Sequence, residues 1–179
     1  CFTHNVDGTT VSHWDVHNIF GAKMTEASSE GLEKLLDKRF LLFSRSSYIG
    51  AHRYGGIWTG DNSSTFHMLR RNVTMMPGLN MCGFLFIGAD TGGFGGNCSR
   101  ELLLRWLAFS VFTPLMRDHP AIFTRHQECF RPRGKPDFRR ILSLPYRLPP
   151  YLSSGLMTAA LCSAPRLRPL PFACPHAPG

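Results

Sequence analysis

Short apolar runs that end in a polar or charged residue, set between amphipathic stretches, constrain this chain more than any other feature. The runs are RFLLFSRSS (39–47), YGGIWTG (54–60), MCGFLFIGAD (81–90) and FTPLMRDH (112–119). Each is short enough for a buried strand, and the segments between them keep helical spacing. Residues 18–38 read as a helix, with Phe20, Met24, Ala27, Gly31 and Leu35 at intervals of three and four and Glu26, Glu30, Glu33, Lys34 and Asp37 on the other faces. DNSST (61–65) offers N-caps for a second helix carrying Phe66, Leu69, Val73 and Met76, which Pro77-Gly78 is expected to stop. SRELLLRWLAFS (99–110) reads as a third, capped by Ser99 with Glu101 in its first turn. Pro114 weakens the last strand. The order helix, strand, strand, helix, strand, helix, strand predicts an α/β protein with parallel strands.

In a parallel β/α barrel the catalytic groups collect where strands end, so the polar residues closing these runs, Arg45, Asp61, Asp90 and His119, are candidates to face one pocket. Beyond about residue 130 the texture changes. Prolines and basic residues crowd positions 131–179, which hold a single acid, Asp137. The sequence therefore divides into a barrel-like part, 1–130, and a Pro/Arg-rich part, 131–179, expected to form a broken helix or no regular structure because Pro145, Pro149 and Pro150 interrupt its apolar pattern.

Charge follows the same division. Of the net +8, none comes from residues 1–99, where eight Lys/Arg meet eight Asp/Glu, and all of it from 100–179, with twelve against four. The basic part lacks interleaved aromatics or a recognised motif, which argues against a nucleic-acid partner. No run of about 18 apolar residues could cross a bilayer, so no membrane partner is expected. The N-terminus, CFTHNVDG, shows neither an initiator Met nor a secretory leader. Six cysteines at 1, 82, 98, 129, 162 and 174 make no C-x-x-C pair and no ligand spacing with His, so neither a zinc nor a redox site is indicated and a reducing compartment, the cytoplasm, is expected.

RSSYIGAHRYGGIWTGDN (45–62) resembles the acid/base segment of glycoside hydrolase family 31, in which an Arg-Ser-Ser/Thr-aromatic run leads into Trp-x-Gly-Asp-Asn. GADTGGF (88–94) and FTPLMRDH (112–119) resemble the family's next two barrel strands in the same order, TRHQECF (124–130) the Gln-Glu segment after them, and HNVDG…VHNIFGAKMTEAS the segment of bacterial α-glucosidases before strand 5. The resemblance covers roughly residues 4–163. It implies a partial (β/α)8 TIM barrel, approximately strands 5 to 8 with flanking helices, from a retaining α-glycosidase acting on terminal α-glucosyl residues of oligosaccharides. Neither a metal nor an organic cofactor is implied.

Role by role, the resemblance makes Asp61 the general acid/base, Arg45 and His119 contacts to sugar hydroxyls, Trp58 and Phe94 aromatic walls of the sugar subsite, and Asp90 a member of the charged network. The chemistry suits carbohydrate: an acid must stay protonated, which a desolvated site against Trp58 would favour. Arginine supplies a fixed fork of donors and aromatic faces pack on a pyranose. Arg45 is also a candidate ion-pair partner of Asp90, and His119 has the alternative of a core histidine. His13, His17, His52, His67, His126 and His176 read as structural or surface groups.

Retention needs a second carboxylate about 5–5.5 Å from the first. The family's nucleophile lies in a Trp-x-Asp-Met-Asn-Glu-type motif on strand 4, absent here and expected upstream of Cys1. Two alternatives follow: a non-catalytic truncated remnant, or the sister activity of an α-xylosidase. GGFGG (92–96) lacks the Lys-Ser/Thr of a phosphate loop and reads as a tight active-site loop. Sequons at Asn62, Asn72 and Asn97 are read as chance.

Overall fold

The computed structural model describes residues 2–127 and 131–175. Cys1, Cys129, Glu128 and His176, which entered the sequence reading, lie outside the described residues. Two compact units divide between Ile57 and Trp58.

The first unit opens with a hairpin that the apolar runs did not announce. β1 (Thr3–Val6) pairs antiparallel with β2 (Thr9–Ser12), Thr3 opposite Ser12. Asp7 and Gly8 both take positive φ, 52° and 83°, the turn that a two-residue Asp-Gly hairpin favours. α1 (His13–Leu35) starts five residues before the expected Asn18 because Ser12 caps it, its hydroxyl accepting from Trp14 N. It ends at Leu35, not at 38. The expected strand 39–47 shrinks to β3 (Phe43–Ser44), since a ladder runs only as far as its partner and β4 (Gly56–Trp58) is itself short; the two pair in parallel, Phe43 with Gly56 and Ser44 with Ile57. Gly21 is a close-approach glycine, for a Cβ there would stand 2.5 Å from the Ser46 Cβ.

In the second unit α2 (Phe66–Met81) is capped by Thr65, which accepts from Met68 N. Pro77 does not stop it. The helix runs on for a turn and ends where Gly83 supplies φ +96°, with Gly83 N donating to Asn80 O and Phe84 N to Leu79 O, the paired bonds of a left-handed C-terminal cap. β5 (Ile87–Thr91) is buried throughout and shorter at its start than expected, because Met81 still belongs to the helix. α3 (Arg100–Ser110) matches the expected helix, with Ser99 accepting from Leu102 N and Glu101 paired with Arg105. β6 (Leu115–Asp118) begins directly after Pro114 and pairs in parallel with β5, in the register Gly88–Leu115 through Thr91–Asp118. The core of this unit is Met76, Ile87, Ala89, Leu102, Leu103, Trp106, Leu107 and Val111.

The proline-rich part is helical: α4 (Arg131–Arg147), α5 (Pro149–Cys162) and the short α6 (Leu170–Ala173). The break expected there falls at Leu148. Pro149 and Pro150 sit in the first turn of α5, where no amide hydrogen is required, so they start a helix instead of interrupting one. Leu167 N donates to Asn80 Oδ1, tying this part to the end of α2.

Candidate functional site

Residues 58–65 leave β4 through a turn fixed by its own polar side chains. Thr59 N donates to Gly88 O of β5, and the Thr59 hydroxyl donates to Asn72 Oδ1 at 2.7 Å. Gly60 adopts φ +82°, a conformation that costs glycine little. The Asn62 amide donates to the Thr59 hydroxyl and to Gly60 O, while its carbonyl accepts from both Phe94 N and Gly95 N at 2.7 and 3.0 Å. Gly60 and Asn62 are buried; Asp61 between them is exposed. The turn thus clamps the backbone on both sides of one exposed acidic residue. Asn62 and Asn72 are 3% and 0% exposed, so neither side chain can carry a glycan in the folded chain, whereas Asn97 is exposed.

The GGFGG segment is the loop the turn is tied to. Gly92 and Gly93 take φ +87° and +91°, and a Cβ on Gly93 would stand 2.6 Å from the Ser64 Cα. Gln127, buried, donates to Gly93 O, and Ala121 N donates to Phe94 O. Phe94 is held beside His119, ring centroids 5.4 Å apart and planes inclined by 33°. His119 is exposed just past the end of β6, so the core-histidine alternative does not describe it.

Asp90 is 1% exposed within β5. Its Oδ1 accepts from Arg117 Nε at 3.0 Å and from Arg117 Nη2 at 2.6 Å, while Oδ2 is buried without a hydrogen-bond partner. The same guanidinium lies 5.7 Å from the centroid of the Trp58 ring, a cation–π contact. Arg117, which sequence reasoning did not single out, therefore holds the Asp90 charge for which Arg45 was the candidate. Asp61, expected to be desolvated against Trp58, is exposed. The Trp58 indole N–H, like Asp90 Oδ2, is buried without a partner. An orphan acceptor and an orphan donor are thus buried beside one guanidinium.

Of the residues expected from the sequence, Trp58 and Asp90 meet through Arg117, Phe94 meets His119, and Asp61 lies on the turn bonded to the Phe94 loop. Arg45 belongs to the first unit, exposed one residue past β3. A groove of about 970 Å³ lies in the second unit between α3, β6 and α4, walled by Leu103, Leu107, Met116, Phe138, Leu142 and Tyr146, and contains none of these residues. Among the described residues no three His, Cys, Asp or Glu are set as a metal cage, and no helix is long and apolar enough to cross a membrane.

Residues 2–154 match the family model "Glycosyl hydrolases family 31 TIM-barrel domain". The chain is 38% identical to Alpha-glucosidase 2 of Bacillus thermoamyloliquefaciens over 175 residues, covering 96% of this chain and 22% of that protein. It is 32% identical to Alpha-xylosidase 1 of Arabidopsis thaliana, covering 93% of this chain and 18% of that one. Among solved structures, the Flavobacterium johnsoniae GH31 dextranase complexed with glucose superposes with a TM-score of 0.84 at 28% identity, over 92% of this chain and 22% of the dextranase. The chain spans about a fifth of the length of the curated relatives it matches.

Proposed function

The chain belongs to glycosyl hydrolase family 31, as part of its TIM-barrel domain, and from that premise we propose that it carries the acid/base half of a retaining α-glucosidase site acting on terminal α-glucosyl residues of oligosaccharides. The observation that carries this reading is the presentation of Asp61: an exposed acidic residue on a turn whose flanking residues are buried and bonded to the Phe94 loop. A general acid needs that combination of a reachable proton and a fixed backbone.

In this reading Asp61 protonates the departing glycosidic oxygen and later takes a proton from the incoming water. Phe94 and His119 pack as a pair, one giving an aromatic wall and the other a hydrogen bond to a sugar hydroxyl. Trp58 gives a second wall, steadied by the Arg117 guanidinium, and Asp90 sets the position of that guanidinium. Arg45 supplies a fork of donors to vicinal hydroxyls. The nucleophile is a carboxylate on a segment that this sequence does not hold, so the chain by itself is inactive. No metal or organic cofactor takes part. The four described cysteines are free, which supports a reducing compartment such as the cytoplasm.

The test is a chimaera in which residues 2–154 replace the matching segment of the Bacillus Alpha-glucosidase 2, assayed on maltose, whose sugar leaving group needs protonation. Asp61→Asn should lower kcat by about 10²–10⁴-fold. Equal rates for the chimaera and its Asp61→Asn variant would end the assignment. The isolated chain should hydrolyse no faster than its own Asp61→Asn form. A second reading, α-xylosidase, draws on the 32% identity to Alpha-xylosidase 1. A chimaera that prefers an α-xyloside to the corresponding α-glucoside would favour it.

A further inference from the structure

In the second unit, a cleft of about 480 Å³ opens where α5 meets the segment that follows it, and none of its lining residues has been given a role in hydrolysis. We propose that this cleft binds a small organic phosphate, received by Arg166 and Arg168 with its organic part against Phe112. Phe112 comes from the turn after α3, and the two arginines come from the segment between α5 and α6. α5 itself contributes Tyr151, Gly155 and Thr158.

The folded chain leaves the charge of Arg166 unanswered. Its Nη1 is buried with no hydrogen-bond partner, and burial pushes the guanidinium below its ordinary value, with the Tyr151 phenol opposing. An arginine still keeps its proton at neutral pH, so a partly desolvated positive charge stands here without a counter-ion. Among the described residues no carboxylate lines the cleft, and Asp137, the one acid of positions 131–179, is taken by Arg100. Arg168 brings a second positive charge to the same cleft. An anion entering it recovers attraction that is screened less than in bulk water. The gain comes through charge and through the accessible nitrogens, since Nη1 is out of a ligand's reach.

Both arginines are held in place before a ligand arrives. Leu167 between them donates its N–H to Asn80 Oδ1 at 2.7 Å, and Asn80, 2% exposed, donates its amide to Phe84 O. Pro165 and Pro169 bracket the segment and restrict its backbone. Arg168 Nε donates to Pro165 O at 2.7 Å, which engages one edge of that guanidinium and leaves its two Nη groups for a ligand. Arg166 passes along α5 at Gly155, where an added Cβ would touch its Nε at 3.6 Å. Two fixed cations suit a dianion better than a monoanion. A phosphate monoester carries a charge of about −1.5 to −2 at neutral pH and presents three acceptor oxygens, a match for arginine forks. Tyr151 and Thr158 add hydroxyl donors, while Phe112, 48% exposed, and Leu167 offer apolar surface to an organic body.

The experiment is titration of the whole chain with phenyl phosphate in a phosphate-free buffer, followed by amide NMR. The amides of Gly155, Thr158 and Leu167 should shift first, with a Kd of about 1 mM or below. Inorganic phosphate, which lacks the ring, and benzoate, which lacks the double charge, should each bind at least about threefold more weakly. Arg166→Met should weaken binding by about tenfold or more and Arg168→Gln by less. Arg140→Gln, which removes the same charge from the exposed surface of α4, should leave it unchanged. The urea midpoint of Arg166→Met should be no lower than that of the unaltered chain, because the substitution removes an unpaired charge, so its lost binding is not unfolding. The map of shifts in the unaltered chain needs no variant to fold. No binding at about 10 mM phenyl phosphate, or shifts that begin elsewhere, would overturn the proposal. So would equal losses in Arg166→Met and Arg140→Gln, or inorganic phosphate or benzoate binding as tightly as phenyl phosphate.

Discussion

Residues 58–127 and residues 131–175 of the second unit reach regular structure by different routes. In the first stretch most of the buried Asn and Thr side chains are matched, although Trp58 Nε1, Asp90 Oδ2, Trp106 Nε1 and Gln127 Oε1 are buried without a partner. Asn62 bonds to Thr59 and Gly60, Asn72 to Thr59 and Met68, Asn80 to Phe84, Thr91 to Ser110, and Thr113 to Ser110 and Leu115. In the second, only Phe138 and Ala159 are buried among the described apolar side chains, while Tyr146, Tyr151, Met157, Leu161, Leu170 and Phe172 are exposed by 61% or more. A buried polar group left unmet costs about 1–3 kcal/mol, so a network of met ones selects one backbone geometry. A helix that exposes its apolar residues is held by local hydrogen bonds and a few anchors, such as the Leu167–Asn80 bond. The candidate site lies in the stretch where geometry is over-determined, which is where a catalytic turn has to be.

The largest effect that separates the two stretches should come from Trp106, which is 0% exposed among Leu102, Leu103 and Leu107. Trp106→Ala should cost about 4 kcal/mol in urea unfolding. A loss below about 1 kcal/mol would mean that the core of the first stretch is no better packed than the second.

Next is Arg117→Met, which keeps an apolar stem against Trp58 and removes the charge. Asp90 is then a buried carboxylate with neither oxygen paired, since Oδ2 has no hydrogen-bond partner already. The expected cost is about 3 kcal/mol, and Asp90→Asn on the Arg117→Met background should recover part of it. Additive losses in that double-mutant cycle would show that the pair does not hold the site together.

Arg117 also marks where the sequence stopped being legible. Asp90 and Arg117 are direct partners in the parallel register of β5 and β6. Their pairing depends on that register, and nothing local in GADTGGF or FTPLMRDH encodes it, so Arg45 stood in as the candidate. α3 was readable almost to the residue because Ser99 and Glu101 are local signals that fix a helix start. The hairpin carried a local signal too, the Asp-Gly pair, which a reading built on apolar runs passed over; with it came the cap at Ser12 and the true start of α1. Pro77 was misread because one lost amide bond does not outweigh a helix whose Met76 and Asn80 are buried. The turn of Asp61 was legible as a motif, whereas its exposure and the Phe94–Asn62 bond required the folded chain.

A smaller effect distinguishes Cys98, the buried thiol of the first stretch, from the exposed thiols, which include Cys82 of the same stretch. Burial, with the charge of Asp118 adding to it, pushes the Cys98 thiol up to about 11, while Cys162 and Cys174 are exposed. In the unfolded chain Cys98 ionises at its ordinary value of 9.0. Between those values the unfolded chain has lost a proton that the folded chain keeps. The unfolded state then binds fewer protons, so this contribution to stability is fully present below about pH 9 and falls as pH rises toward about 11. Urea midpoints at about pH 8 and about pH 10.5 should differ more for the native chain than for Cys98→Ala. Peptide mapping after brief iodoacetamide treatment should find Cys162 and Cys174 labelled and Cys98 intact. Early labelling of Cys98 would place it in a part of the chain that opens as easily as α5.

The smallest effect is expected in α5, and it tests the comparison from the other side. Leu161 is 77% exposed one residue before the end of the helix. Little apolar surface leaves water there on folding, and the difference in helix propensity between Leu and Ser is a fraction of a kilocalorie. Leu161→Ser should therefore shift the urea midpoint by no more than the equivalent of about 0.5 kcal/mol. Ala159, two residues earlier and 3% exposed, marks the opposite face of the same helix, so Ala159→Asp should be felt where Leu161→Ser is not. If Leu161→Ser costs more than about 1 kcal/mol, its face of α5 is covered in solution, and these helices owe their order to burial just as residues 58–127 do. If both substitutions are silent, α5 contributes nothing to the cooperative unit, and the folded core ends before it.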